Sequence, residues 1–286
     1  MPIIDSINTL LTQQKTLLDR FTSKSWVEKL ETTISDIKVK FESAITPNDV
    51  LNKTLYVSIS GGNDMNDGSV DHPLKTIKTA IDLIPVSGYG KIILLNNNDP
   101  SHTAQTFSID SDIIIKNKTI IIENEIGMKF NNRIKFGYSS EDLISYKFKL
   151  ESNVHLSFTS VDIQSAVISD HDKSRMGIKT TDADIKSIIE LNNAFGVINF
   201  FKSNLTINDY NFINSNGFSD IGISVVNSNV NCSSNAKYLL YADCGMFKVS
   251  SINNILKQAA VEVNITNLVK DKDPNTSLIT FIPSSV

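Results

Sequence analysis

The sequence predicts a mainly β chain, a parallel β-solenoid preceded by an α-helical stem. Three observations predict it. Apolar residues at heptad spacing mark the first 45 residues. Short β-branched runs then recur towards the C-terminus at a rough period of about 20 to 25 residues, as stacked coils require. Between the two lie a strand, a Gly/Asn/Asp-rich turn and an amphipathic helix in immediate succession. Those are the parts needed to close the exposed end of a solenoid. The division that follows is a stem over 1–47, a β domain over 48–270 with its lid at 55–84, and a C-terminal strand and tail over 271–286.

In the stem, Ile4, Ile7, Leu11, Gln14, Leu18 and Phe21 alternate spacings of three and four, the a/d seam of a coiled coil. The seam then breaks. Its register would bury Ser25 and Glu28, whereas the next apolar row is Val27, Leu30, Ile34, Ile37, Phe41 and Ala44. A jump of two residues is neither a stutter nor a stammer, which argues against one unbroken supercoil. Ser25-Trp26-Val27-Glu28 fits a capping box, so two helices are expected, about 3–22 and 26–45, with Pro47 ending the second. Each row covers only three heptads, short for a coiled coil standing alone. Seams between separate chains and a hairpin of the two helices within one chain both satisfy this pattern.

From Leu51 the character changes to runs such as Leu55–Ile59, Ile92–Leu95, Ile113–Ile115 and Ile120–Ile122. Ser/Thr-centred strands recur at 118–120, 160–163, 203–207, 228–232 and 250–252, with no helix expected between them. Abundant Ile, Asn, Ser and Thr with only 12 Gly suits many short strands joined by polar turns. An antiparallel β-sandwich competes with the solenoid. Continuous apolar runs favour parallel strands buried on both faces over sandwich strands that alternate.

The lid segment carries the most specific pattern. Strand 55–59 runs into Gly61-Gly62-Asn63-Asp64, then Asp67-Gly68, and then Pro73-Leu74-Lys75-Thr76-Ile77 with Ala80-Ile81. Glycines permit positive φ there, and Asn63, Asp64 and Asp67 can accept local backbone N–H groups. Pro73 is placed in the first turn of a helix over 73–84 whose apolar face, with Leu74, Ile77 and Ile81, covers the stack. As a calcium loop the segment fails, since Met65 and Leu74 would stand at ligand positions.

This lid resembles the first coil of the pectin-lyase-like β-helices found in bacteriophage tail fibres and tail spikes. The likeness covers about 30 residues directly. It implies a right-handed parallel β-helix and a homotrimer, in which Ile4, Ile7, Leu11, Leu18 and Phe21 form apolar layers and Gln14 a polar one. It also implies attachment to other virion proteins through the stem, with host-surface polysaccharide as a further partner. Some tail spikes with this fold cleave polysaccharides, so a short depolymerase is the alternative; a bacterial β-solenoid adhesin is another.

Composition narrows the function classes. Net charge is −4, with 27 Lys and Arg against 31 Asp and Glu and no basic cluster, so no nucleic-acid surface is expected. No apolar run reaches the length of a membrane span, and residues 1–6 lack the features of a signal peptide. Assembly in a host cytoplasm, into a virion, is the expectation. Cys232 and Cys244 show no zinc spacing and are read as buried small hydrophobes. His72, His102, His155 and His171 are scattered, and Gly61-Gly62 lacks the Lys-Ser/Thr of a phosphate loop. Asp162, Asp184, Glu190, Asp209 and Asp220 are read as solvated turn carboxylates. No catalytic residue, metal site or cofactor is expected.

Overall fold

A computed structural model describes residues 2–22, 31–36, 51–96, 104–127, 131–141, 144–176, 187–234, 237–272 and 274–282. Contacts divide the chain into two units, Met1–Val50 and Leu51–Val286. The first contains helix α1 (Pro2–Thr22) and a second helical stretch, α2, at 31–36. Of the expected second helix, the capping box and residues 37–47 lie outside the described residues.

The second unit is mainly β with long parallel sheets. Among the described residues one sheet has 11 strands and the other 7. Among the described pairings of named strands, all are parallel except that of β15 (Ile255–Gln258) with β16 (Val261–Glu262). That pattern is not an antiparallel sandwich.

Three strands of the larger sheet are long and bent: β4 (Ile113–Asn124), β6 (Phe148–Thr159) and β8 (Ser187–Phe201). Each turns a corner through one left-handed residue: Asn117, Ser152 and Asn193, at φ of 49°, 60° and 50°. The pairings therefore fall on three faces. Face 1 holds the first arms of β4, β6 and β8, then β10 (Asn211–Ser215), β13 (Leu240–Ala242) and β17 (Val269–Asp271). Face 2 holds β1 (Asn52–Val57), β2 (Tyr89–Leu94) and the second arms of the bent strands. It continues through β11 (Ser219–Val226), β14 (Gly245–Ile252) and β18 (Ser277–Ile282). Ser277–Ile282 thus carries on the same sheet. Face 3 is the smaller sheet: β3 (Thr106–Ile109), β5 (Asn132–Phe136), β7 (Val161–Gln164), β9 (Asn204–Ile207), β12 (Asn229–Cys232) and β15.

Parallel register puts like on like. Face 2 stacks Ile120, Leu156, Ile198, Ile223 and Val249 in one inward column. Face 3 stacks Phe107, Ile134, Ile163, Leu205, Val230 and Leu256. All of these are buried and belong to one core. Burying such columns is the main favourable term, because no single strand can hide its own apolar side chains.

The corners between faces 2 and 3 explain a Gly-poor, Asn/Ser-rich composition. Ser160, Lys202, Asn227 and Asn253 adopt φ of 54°, 51°, 49° and 54°, and each precedes a residue whose environment repeats. The Val161 N–H is held by Ser203 Oγ 42 positions on. The Ser203 N–H goes to Ser228 Oγ, 25 positions on, and the Ser228 N–H to Asn254 Oδ1, 26 positions on. Left-handed backbone costs about 1 kcal/mol or more outside glycine, and these side-chain bonds to the next coil offset it. The Ser-centred markers of the sequence therefore mark corners at 160, 203 and 228, not strand centres. The marker at 250–252 falls on face 2, just before the equivalent corner.

The solvent side of the strands also differs from expectation. Ile114 is 55% exposed between buried Ile113 and Ile115, and Ile121 is half-buried. A run of isoleucines hid an ordinary in–out alternation.

The segment over 55–84 covers the free edge of β1 through the backbone as well as through side chains. Along the free edge of β1, Tyr56 N–H donates to Gly68 O, Leu74 N–H to Tyr56 O and Ser58 N–H to Leu74 O, all at 2.8 Å. Pro73 and Leu74 therefore act as a partner strand, and the helix α3 is shorter than expected, Ile77–Leu83 with Thr76 as its N-cap. Ile77, Ala80 and Ile81 are its buried residues. Lys118 Nζ donates 2.8 Å to Ile81 O, tying the last turn of α3 to β4.

Candidate functional site

Asp64 is the fastener of the lid. Its Oδ1 accepts the N–H groups of Lys75 and Thr76 at 2.9 Å each, and its Oδ2 accepts Thr76 Oγ1–H at 3.0 Å. Burial on its own would raise its pKa, but these bonds outweigh it and hold the carboxyl below its ordinary value. Asp67 accepts the Ser69 N–H at 2.9 Å, and Gly68 sits at φ 81° with Leu55 Cδ2 2.7 Å from where a Cβ would stand. These residues staple a turn.

Replacing Asp64 with Ala should cost about 2 kcal/mol, since bonds to a charged acceptor are the stronger kind. Because the folded pKa is depressed, that contribution is complete above the unfolded carboxyl pKa near ~3.9. It is lost as pH falls through the lower folded value. Thermal melts should show a deficit of roughly 4 to 8 °C for a unit of this size, present at neutral pH and vanishing in acid. A deficit that persists in acid would show that the carboxylate is not its source.

The seam residues lie in α1. Ile7, Leu11 and Leu18 are 53%, 57% and 65% exposed, and Gln14 is exposed as well. The side chains of Ile4 and Phe21 lie outside the described residues.

A groove unforeseen in the sequence lies beside face 3. After β7 the chain leaves the stack and forms a seven-residue helix, α4 (Asp170–Met176). Tyr138, Ala166, Ile168 and Tyr210 pack together as a small second core beneath this excursion. Tyr138 Oη donates to Asp172 Oδ2 at 2.8 Å and accepts the Ser169 N–H at 3.0 Å. Ser169 Oγ donates to the same carboxylate oxygen at 2.7 Å. Ile168 N–H is held by Asp209 Oδ2 at 2.8 Å. Between this strap and the stack is a cavity of about 280 Å³ lined by Asp110, Lys135, Gly137, Tyr138 and Val167 among others. An aromatic ring, an apolar wall, a cation and a carboxylate can make polar and stacking contacts with a small polar ligand. Two wider hollows, about 360 and 420 Å³, flank the lid and the corner at Asn117.

The carboxylates expected to be solvated turns are mostly neither. Glu190 stands on face 1, where Lys147 Nζ bonds its Oε2 at 2.7 Å and both side chains are at most 15% exposed. Burial works against its ionisation, and the bonds from Lys147 and Asn192 prevail, so its pKa falls. Asp162 on β7 accepts Asn131 Nδ2 and Asn204 Nδ2 at 2.9 and 2.7 Å, joining successive coils. Asp209 anchors the strap, Asp220 stands on β11, and Asp184 lies outside the described residues. Parallel register delivers these groups to neighbouring coils for stapling, a role that spacing alone did not reveal. His155 Nε2 is 3.1 Å from Asn199 Nδ2, one coil on, and His171 lies 3.7 Å from Asp172. His102 lies outside the described residues.

Cys232 is buried, which pushes its thiol up to about 12, whereas Cys244 is only half-buried. Among the described residues no group of three His, Cys, Asp or Glu could hold a metal ion, and no helix is long and apolar enough to cross a membrane.

No protein-family profile matches the chain, and no curated protein matches it. A solved structure, the GH136 lacto-N-biosidase of Eubacterium ramulus, is similar over 96% of this chain and 55% of its own, with 10% identity and a TM-score of 0.41. The chain thus spans about half the length of that protein. A likeness this weak carries nothing further about fold or activity.

Proposed function

We propose that the chain is a structural appendage of a bacteriophage particle, a tail or head fibre built as a right-handed parallel β-helix on a trimeric helical stem. The observation that carries this reading is the stack itself. Coils in register, a backbone-sealed lid and side-chain staples from coil to coil make a stiff spacer, and most of the chain is committed to building it. The resemblance of residues 55–81 to the first coil of phage β-helices supplies the lineage. Heptad spacing in α1, with Ile7 and Leu11 more than half exposed, supplies the trimer seam. The stem attaches to the particle, and the groove beside Tyr138 is the surface available to host polysaccharide.

Two measurements test the reading. Electron cryo-microscopy of purified particles should place the chain in threefold density on the virion. Sedimentation of the intact chain should give a trimer, and deleting residues 1–46 should weaken association while the β unit keeps its far-ultraviolet spectrum. A monomer at all concentrations sinks the fibre and favours the helical hairpin. Release of reducing sugar from host capsule, abolished by Asp110→Asn, would establish the depolymerase in its place.

A further inference from the structure

The outward side of face 3 carries two rows of side chains in register, and the rows differ in what they bond. One runs from Thr106 and Arg133 through Asp162, Asn204 and Asn229 to Ile255, and its middle is satisfied from within. Asn229 Nδ2 donates to Asn204 Oδ1 and Asn204 Nδ2 to Asp162 Oδ1, each at 2.7 Å. The other row is Ser108, Lys135, Gln164, Thr206, Asn231 and Lys257, each in register with the next. Among the described residues none of these side chains has a hydrogen bond or ion pair within the chain. At a strand spacing of about 4.8 Å this free row covers roughly 24 Å. It also runs into the groove, whose lining includes Ser108 and Lys135 beside Asp110 and Tyr138. Groove and row are one surface, an aromatic-lined hollow that continues as free amides and a hydroxyl and ends on Lys257.

Charge narrows the occupant. On faces 1 and 2, Lys91, Lys116, Lys147 and Lys149 are matched to Glu123, Glu151, Glu190 and Asp112, while Lys248 and Lys270 stand singly and exposed. Face 3 gathers three unmatched cations, Arg133, Lys135 and Lys257, in a chain of net charge −4. Against them stand Asp110 in the groove and Asp162, which is in register with Arg133 but bonded to Asn131 and Asn204. A protein partner is held at a buried apolar or aromatic centre, and Ile255 is the one large apolar side chain in the two rows. Duplex nucleic acid carries a charge every ~1.7 Å, far denser than three cations over this length. An acidic glycan has spaced carboxylates, many hydroxyls and sugar rings with an apolar side, which match the cations, the free row and Tyr138 in turn.

We infer that groove and row together bind an extended acidic glycan laid across the strands of face 3. One sugar ring sits against Tyr138, with its carboxylate on Lys135 and a hydroxyl on Asp110. The hydroxyls that follow meet Gln164, Thr206 and Asn231, and a further carboxylate meets Lys257. This rests on the reading of the groove as a polysaccharide surface, and adds the charge of the glycan, its direction and the residues that hold it.

The test immobilises the full chain and passes over it hyaluronan, alginate and polysialate, each beside its carboxyl-reduced form, and a single-stranded DNA. At least one acidic glycan should bind, on the order of tenfold more tightly than its reduced form, and more weakly as salt is added. Lys135→Gln and Lys257→Gln should each lower that affinity on the order of tenfold with no change in melting temperature. Lys248→Gln, which removes an exposed cation from face 2, should leave it unaltered. Equal binding of acidic and reduced forms keeps the groove as a polysaccharide surface and overturns the acidic class. Acidic binding that survives Lys257→Gln confines the ligand to the groove and overturns the row. Binding of DNA in place of any glycan overturns the inference. Binding of no probe overturns it together with the reading of the groove, while threefold density on particles would still uphold the fibre.

Discussion

Replacing Ile77 with Asp will open the sealed end of the stack, with a loss of about 4 kcal/mol or more in the stability of the β unit. Ile77 is 1% exposed and lies on the face of α3 that covers the first coils. A carboxylate there has no partner and no water. It must either ionise in an apolar site or take up a proton, and both are costly. The damage spreads beyond one contact, because α3 is continuous with the segment that occupies the free edge of β1. Freeing residues 68–74 bares three backbone groups of an edge strand, and bare edges recruit other chains. The expected result is a melting transition lowered by roughly 10 °C or more, with aggregation on heating that the parent chain does not show. Ile77→Leu, which keeps volume and polarity, should cost less than about 1.5 kcal/mol. An unchanged melting temperature in Ile77→Asp removes the sealing role of the lid.

What could be read in the sequence, and what could not, follows from how far each signal reaches along the chain. The lid was legible because its parts are contiguous. Asp64 lies only 11 and 12 positions from the Lys75 and Thr76 N–H groups it accepts, so a local pattern holds the whole device. Even so, spacing could not tell a helix start from an edge partner at Pro73 and Leu74, since both bury the same residues. The repeating unit was legible only where coils are short and uninterrupted, from Ser203 to Asn254. Earlier, the interval is 42 because the chain makes the excursion through α4 before it rejoins the stack. The corners inside β4, β6 and β8 left no trace, as Asn117, Ser152 and Asn193 resemble any polar strand residue. The groove was hidden for the same reason. Tyr138 and Asp172 are 34 positions apart and meet only because α4 folds back against the sheet. Glu190 and Lys147 are 43 apart and meet on face 1 through register.

Register decides the second large effect. Phe200 is fully buried, with its ring stacked 5.5 Å from Phe158 and nearly parallel to it at 3°, and 5.5 Å from Phe212 edge-on at 80°. It links two segments of an aromatic column that continues through Phe148 to Phe136. Phe200→Ala should therefore cost about 3–5 kcal/mol, from lost burial, an unfilled cavity and two broken ring contacts. Because parallel coils hold the column from both sides, the site collapses poorly, which favours the upper part of that range. Phe200→Leu refills most of the space and should cost about 1–2 kcal/mol. The neighbouring Phe201 points the other way and is 37% exposed. Its alanine variant should change unfolding by about 0.5 kcal/mol or less. Chemical denaturation of both variants, under conditions that separate unfolding from association, gives a direct reading of which side each ring faces. A larger cost at position 201 than at position 200 would mean that β8 is set one residue out of register. Every inward column and outward row drawn through that strand would then exchange sides.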